Sequence, residues 1–245
     1  MMLDDILTVM WKERKTLFRF RGSRSRFLLT VMAPVLFAIV FPWQWGPDWV
    51  EEIPSILLSA IIAVILVGMT IPESFAGERE RHTLNTLLTS RLPDRAILFG
   101  KMAVSIALSW GVTVVVLLLS LVTVNIAHYD GKLLLYTPAI AAGDLVLSFL
   151  MATLFASAGV LISMRSETVQ QAAQFLMAIF LVPIMLLQLV AMVFMTQLND
   201  LLKPFLDSLD GERVLVIALG VLLVITAGVF AAAVARFKRT RLFLA

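Results

Sequence analysis

Six apolar stretches alternate with short polar connections along the chain. They lie at approximately 27–42, 54–76, 98–124, 138–163, 170–196 and 213–235. A membrane-spanning helix needs about 20 predominantly apolar residues, and five of the six stretches reach that length. The pattern therefore predicts an all-α polytopic membrane protein, with six transmembrane helices in a single transmembrane domain covering residues 1–245.

The first apolar stretch is short for a membrane span. Arg24 and Arg26 precede it, and long basic side chains can reach from inside the membrane to the headgroups. A tryptophan cluster follows it, and tryptophan is enriched at membrane–water interfaces. We therefore expect Trp43, Trp45 and Trp49 to lie in the headgroup belt.

The stretch before the first span, residues 1–26, has a helical apolar stripe and is basic. This pattern is typical of a helix that lies flat in the membrane interface. A signal peptide is the alternative, but no small-residue cleavage site follows the apolar run. We predict a cytoplasmic amphipathic elbow helix whose apolar stripe comprises Leu3, Ile6, Leu7, Met10, Trp11, Leu17 and Phe18.

A long hydrophilic stretch, residues 73–101, separates the second and third spans. Within it Leu84, Leu87 and Leu88 have the spacing that places side chains on one face of a helix. Pro93 follows them and would end that helix. The pattern predicts a short surface helix at 77–92, a feature better suited to docking another protein than to catalysis.

The distribution of basic residues predicts the orientation. The chain has 20 Lys and Arg residues, and all but Lys132, Lys203 and Arg213 lie on the same side of the six predicted spans. Loops rich in Lys and Arg stay in the cytoplasm. Both termini and the predicted surface helix are therefore expected to be cytoplasmic. The basic pI of about 9.5 then reflects topology, and no nucleic-acid partner is expected.

Composition excludes several other classes of protein. Of the 245 residues 60% are hydrophobic and 15% charged, and the mean hydropathy is +0.95, whereas about a quarter of the residues of soluble domains are charged. There is no cysteine, hence neither a thiol nucleophile nor a cysteine-based metal site. No clustered acids or histidines suggest catalysis. The phosphate-binding motif GxxxxGK[ST] is absent, so an ATP-driven process would need a separate ATPase.

Three residues are candidates for a translocation path. Asp144 lies within the fourth span, and ionisable residues inside membranes often mark transport pathways. A structural carboxyl group or a water-exposed position remains an alternative reading of it. Glu73 stands at the inner end of the second span, and Pro183 is expected to kink the fifth.

The sequence Glu78-Arg-Glu-Arg-His-Thr-Leu-Asn-Thr-Leu-Leu-Thr-Ser90, with Gly100-Lys101 before the third span, resembles the membrane subunits of type-2 ABC exporters. The chain departs from that pattern at His82, Asn85 and Arg91. The amphipathic start, the six spans and the short outer loops also agree with the family. The matching positions are Glu78, Glu80, Thr83, Leu84, Leu87, Leu88, Ser90, Gly100 and Lys101.

This resemblance implies a permease subunit that pairs with a second permease subunit, identical or similar, in a prokaryotic inner membrane. Two ABC ATPase subunits would bind ATP and Mg²⁺, and this chain would bind no cofactor or metal and have no catalytic residue. The surface helix would be a coupling helix that inserts into the ATPase, with a second contact at 164–169. The implied coupling residues are Glu78, Arg79, Glu80, Arg81, Thr83, Leu84, Leu87, Leu88, Ser90, Arg165 and Glu167.

The expected function is outward movement of a small or amphipathic solute by alternating access. An ion-gradient-driven transporter or channel that uses Asp144 is the main alternative. A membrane sensor that binds an ATPase without moving a substrate is a third. The sequence does not distinguish a lipid-like substrate from a cationic one.

Overall fold

The computed structural model describes residues 2–18, 24–81, 83, 91–206 and 211–237. These residues form α-helices joined by short connections, and no strand occurs among them. The helices are α1 (Met2–Phe18), α2 (Arg24–Trp45), α3 (Asp48–Glu51), α4 (Pro54–Glu80), α5 (Asp94–Ala127), α6 (Pro138–Ser163), α7 (Val169–Leu206) and α8 (Gly211–Arg236). The all-α prediction is thus confirmed for the described residues.

Five of these helices are long and apolar enough to cross a membrane. The qualifying segments are all of α4, α5 and α6, Val169–Val190 of α7 and Leu215–Arg236 of α8. The first predicted span falls in α2, whose described apolar part, Met32–Trp45, is shorter than these. The chain is therefore a multi-pass membrane protein with five candidate spans among its described residues, and a sixth through α2 stays a prediction.

Helix α4 occupies the centre of the bundle and packs against α5, α6 and α7. One apolar core joins Val67, Ile71 and Phe75 of α4 to Phe155 and Val160 of α6. Most of the hydrophobic side chains of α7 and α8 whose burial the structure describes are exposed instead. Such faces suit contact with lipid or with another membrane-embedded chain.

The two ends of the bundle are chemically different. We call the end where α4 finishes and α5 begins the Lys101 end, and the opposite end, where α4 begins, the Asp144 end.

Helix α4 continues to Glu80, so residues 77–80 of the predicted 77–92 helix form its last turn. Of the remainder, residues 82 and 84–90 lie outside the described part of the chain.

The three tryptophans that were predicted to lie in the headgroup belt differ in their exposure. Trp43 and Trp45 are exposed, whereas Trp49 is buried. The Trp49 ring stacks on Phe41 with centroids 6.3 Å apart, and its indole N–H donates to the Tyr136 hydroxyl at 3.2 Å. Trp49 is therefore packed inside the protein, because α3 folds this residue back over the Asp144 end of the bundle, and the headgroup belt stays a prediction for the cluster.

Candidate functional site

The first helix packs closely against α5 at the Lys101 end. A Cβ atom at Gly100 would come within 2.6 Å of the Val9 side chain and 3.2 Å of the Ile6 carbonyl oxygen. Contacts below 3 Å are not tolerated between packed atoms, so glycine is what allows the two helix backbones to approach. The next residue, Lys101, is thereby placed among α1, α4 and α5.

Lys101 is buried, with its side chain 1% exposed. Its ammonium group has three hydrogen-bond donors, and three acceptors surround it. The Nζ atom lies 3.0 Å from Glu13 Oε1 and 3.0 Å from Glu78 Oε1, and it donates to the Ser74 carbonyl oxygen at 2.6 Å. The Phe75 ring lies below it, with its centroid 5.3 Å from Nζ, within the range of a cation–π contact.

Further contacts complete this cluster. The Ser74 hydroxyl donates to Glu13 Oε2 at 3.3 Å, and the exposed Lys12 donates to Glu78 Oε1 at 3.1 Å. We call Lys12, Glu13, Ser74, Glu78 and Lys101 the Lys101 cluster. Its two carboxylates and two ammonium groups balance in charge, which is the condition for burying ions in an apolar surrounding. The cluster therefore joins α1, α4 and α5 through hydrogen bonds that none of them could make alone.

The last turn of α4 also contacts the connection between α6 and α7. Arg79 donates to the Ser166 carbonyl oxygen at 3.3 Å. Glu80 Oε2 accepts a hydrogen bond from the Val169 amide at 3.1 Å. Val169 opens α7, and a carboxylate at a helix N-terminus is favoured by the helix dipole. The start of α7 is further capped by the Thr168 hydroxyl, which accepts from the Gln171 amide at 3.1 Å.

The chain turns immediately after α4. The Thr83 amide and hydroxyl both donate to the Glu78 carbonyl oxygen, at 2.9 and 3.2 Å. Arg81 forms an ion pair with Glu73. These contacts fix the direction in which the polypeptide leaves α4.

The residues predicted to contact an ATPase therefore fall into two groups that differ in their exposure. Glu78 and Arg79 are half-buried and bonded within the chain, while Glu80, Arg81, Thr83, Arg165 and Glu167 are exposed. The structure brings the end of α4 and the 164–169 connection together, two segments that the sequence only suggested as separate contacts. The predicted apolar anchor and its flanking serine, Leu84, Leu87, Leu88 and Ser90, lie outside the described residues.

The three residues predicted to line a translocation path do not form one site. Glu73 is at the Lys101 end and paired with Arg81. Asp144 is fully buried near the opposite end, between α6 and the start of α4. Pro183 lies within α7 with its side chain exposed. Among the described ranges, no group of three or more His, Cys, Asp or Glu side chains could hold a metal ion.

Sequence reasoning missed most of the Lys101 cluster. The sequence pattern places Gly100 and Lys101 only in the stretch that resembles a known family, and it does not single out Glu13. A signal was present, however. Glu13 and Lys101 are charged residues beside apolar helices, and charges in such positions are usually paired.

Comparison with known proteins agrees with this architecture. A family model described as ABC-2 type transporter matches residues 4–192, which is more than half of the chain and includes both segments that meet at the Lys101 end. A search of curated proteins returned no match. The earlier resemblance is confirmed by the family match: the chain is a membrane transport domain and belongs to the ABC-2 type transporter family.

Proposed function

We propose that this chain is the permease subunit of an ATP-driven exporter, moved by a separate ABC ATPase that docks at the Lys101 end. The observation that carries the proposal is the way the last turn of α4 is held. Glu78 ties it to Lys12 of α1 and Lys101 of α5, while Arg79 and Glu80 tie it to the connection between α6 and α7 and to the first amide of α7. The segment immediately after that turn is the one that the sequence predicts to be a coupling helix.

This arrangement suits the transmission of force. A push on residues 82–92 would act directly on the ends of α4 and α5, which flank that segment. Because buried, hydrogen-bonded ion pairs resist separation, the joined ends of α1, α4 and α5 would move as a unit. Rigid movement of packed helices is a common way for a local event to reach a distant site.

The exposed positions of the Lys101 end would form the docking surface. The proposed contacts are the apolar anchor Leu84, Leu87 and Leu88 and the exposed residues Glu80, Arg81, Thr83, Arg165 and Glu167, with Ser90 closing the segment. Glu78 and Arg79 would instead hold the anchor in place from inside the permease. ATP and Mg²⁺ would be bound by the ATPase.

The exposed apolar stripe of α1 supports a location of the Lys101 end at the membrane surface. Leu3, Leu7 and Trp11 are spaced four residues apart and are exposed, whereas Val9 and Glu13 on the other side of α1 are buried against the bundle. An apolar stripe that faces away from its own protein is suited to the acyl boundary of a bilayer. We propose that α1 is the interfacial elbow, that both termini are cytoplasmic and that the membrane is a prokaryotic inner membrane.

The working unit would contain a second permease subunit, identical or similar, and the sixth span would run through α2. The solute would be small or amphipathic and would move outward by alternating access. The exposed apolar faces of α7 and α8 provide surface for the second permease or for lipid.

Co-purification tests this function. The tagged permease is purified gently from its native host, and soluble proteins that accompany it are identified. Replacing both Leu84 and Leu87 with Asp should remove an ABC ATPase that accompanies the parent, because two charges would enter an apolar contact. The matched control is Leu133→Asp with Leu135→Asp, two exposed leucines at the Asp144 end, and it should retain the ATPase. Failure to recover an ATPase with the parent, even after crosslinking, would reject the proposal.

A further inference from the structure

A groove at the Lys101 end lies between the start of α5 and the end of α8. Both helices pack against α6, and the rings of Phe99 and Phe230 stack across the gap between them with centroids 6.0 Å apart. The groove has a volume of about 620 Å³, within the range of about 300–1,000 Å³ that is typical of ligand sites. Its lining includes Asp94, Arg95, Phe99, Phe230, Ala235 and Phe237.

The charged and apolar parts of this lining lie at different depths in the bundle. Asp94 and Arg95 are the first two residues of α5, and Phe99 lies about 6 Å further along that helix at a rise of about 1.5 Å per residue. On the other side Phe237 follows the last residue of α8, and Phe230 lies about 10 Å nearer the middle of the bundle. The groove is therefore charged at its outer end and apolar along the rest of its length.

One side of the groove is fixed and the other is open. Phe237 is 6% exposed, and its ring packs edge-to-face on Phe75 of the core with centroids 5.9 Å apart. Arg95 and Ala235 are exposed, so the groove opens to the surroundings of the bundle. An apolar gap that stays empty loses dispersion contacts on all of its walls. In a bilayer the hydrocarbon chain of a lipid is the group at hand to fill it.

The outer end carries one group of each sign. The Arg95 guanidinium has the planar set of donors that matches a phosphate group. The Asp94 carboxylate accepts hydrogen bonds from N–H donors, and it also takes part in another interaction of the chain. A headgroup that is only negative would be repelled by Asp94, whereas a headgroup with both charges complements both residues.

We infer that this groove binds one glycerophospholipid whose headgroup carries a phosphate and a primary ammonium group, as phosphatidylethanolamine does. One acyl chain lies over Phe99 and Phe230, the phosphate contacts Arg95, and the ammonium group donates to Asp94. The quaternary ammonium of phosphatidylcholine has no N–H to donate and binds less tightly. The bound lipid connects the start of α5 to the end of α8.

This inference rests on one part of the proposed function, the location of the Lys101 end at a membrane surface. It does not depend on the docking of an ATPase. Loss of the lipid site would leave co-purification of an ATPase unchanged, and absence of an ATPase would leave lipid binding unchanged. The two proposals can therefore fail separately.

Native mass spectrometry of the purified full-length permease in mild detergent tests the site. The protein is titrated with phosphatidylethanolamine, phosphatidylcholine or phosphatidylglycerol, each with two oleoyl chains, and the lipids retained per chain are counted. We expect one saturable phosphatidylethanolamine per chain. Its half-saturation concentration should be about tenfold lower than that of either other lipid, which corresponds to one charge-assisted hydrogen bond.

Two variants test whether the lipid lies in the groove. Ala235→Trp places a large side chain in the open side and should abolish the saturable lipid. Its control is Ile225→Trp, at an exposed position of α8 that does not line the groove. This control should retain the lipid with unchanged affinity.

Two further variants test the headgroup contacts. Arg95→Gln should weaken phosphatidylethanolamine binding about tenfold, because one charge-assisted contact is lost. Arg91→Gln, which removes an exposed arginine just before α5, should have no effect. Asp94→Asn should remove the preference for phosphatidylethanolamine over phosphatidylcholine.

Three results would overturn the inference. Equal retention of the three lipids by the wild-type permease would do so, and this comparison needs no variant to fold. Preferential retention of phosphatidylglycerol would assign the groove to an anionic lipid. A lipid that binds only after removal of residues 239–245, which follow Phe237 closely and lie outside the described part of the chain, would assign the groove to the chain's own tail.

Discussion

The substitution Lys101→Met is the sharpest test of how the Lys101 cluster holds α1, α4 and α5 together. Methionine is close to lysine in length but carries no charge. The change would remove the ammonium group that bridges Glu13 and Glu78, whose side chains are 5% and 14% exposed. Their carboxylates would then be buried without that cation.

The expected cost follows from the burial of these groups. Breaking a buried ion pair by removing one partner costs about 3–5 kcal/mol. In a protein of this size 1 kcal/mol moves the unfolding midpoint by about 2–4 °C. We therefore expect Lys101→Met to lower the midpoint by about 10 °C, measured on the purified permease from the loss of its monodisperse elution peak after heating.

The control is Lys132→Met, which removes an exposed lysine from the connection between α5 and α6 and should move the midpoint by less than about 2 °C. Adding Glu13→Gln to Lys101→Met should cost less than the sum of the two single changes, because residues in one network are energetically coupled. Equal midpoints for Lys101→Met and Lys132→Met, or strict additivity with Glu13→Gln, would contradict the joining role of Lys101.

Two further substitutions test neighbouring contacts. Gly100→Ala should destabilise the permease by about 1–3 kcal/mol, because the added Cβ atom would overlap the Val9 side chain. The control Gly111→Ala, whose added Cβ atom meets nothing within 4 Å, should be neutral or stabilising in the same unfolding assay. Equal effects of the two substitutions would refute the close approach of α1 and α5 at Gly100. Glu80→Ala should speed hydrogen exchange of the Val169 amide several-fold, because the acceptor of that amide is removed. Glu80→Gln keeps an acceptor oxygen and should have a smaller effect. Unchanged exchange in both variants would show that this hydrogen bond does not protect the start of α7.

Membrane helices were the most predictable part of the fold. Runs of about 20 apolar residues have few alternatives in a bilayer, because all backbone groups must be hydrogen-bonded within the segment. The predicted second, third, fourth and sixth stretches fall within α4, α5, α6 and α8. Helix ends were less predictable, since polar residues can extend a helix beyond the membrane, as 77–80 extend α4 and 197–206 extend α7.

The burial of single residues was harder to predict. Hydropathy places Lys101 and Trp49 at a membrane surface, yet both are buried. Each is buried because a second element supplies its polar partner: Glu13 of α1 for the ammonium group, and the Tyr136 hydroxyl for the indole. Partners separated by 87 or 88 positions in the sequence leave no local pattern.

The serines of α4 are a second case in which the sequence alone does not reveal a contact between distant residues. Ser55 and Ser59 look like ordinary small residues of a membrane helix, where small side chains usually serve close packing. The contact of Ser59 with Asp144 appears only when the fold sets α6 against the start of α4. The sequence identified the acid but not the hydroxyl beside it.

The two buried polar sites differ in how their charged groups are paired. At Lys101 each of the three ammonium donors has an acceptor in another part of the chain, so this one group connects α1, α4 and α5, although Glu78 Oε2 has no hydrogen-bond partner among the described residues. Asp144, by contrast, is fully buried beside the uncharged residue Ser59 of α4. Removing the cation should therefore disturb several helices at once at the Lys101 end, which is what Lys101→Met tests.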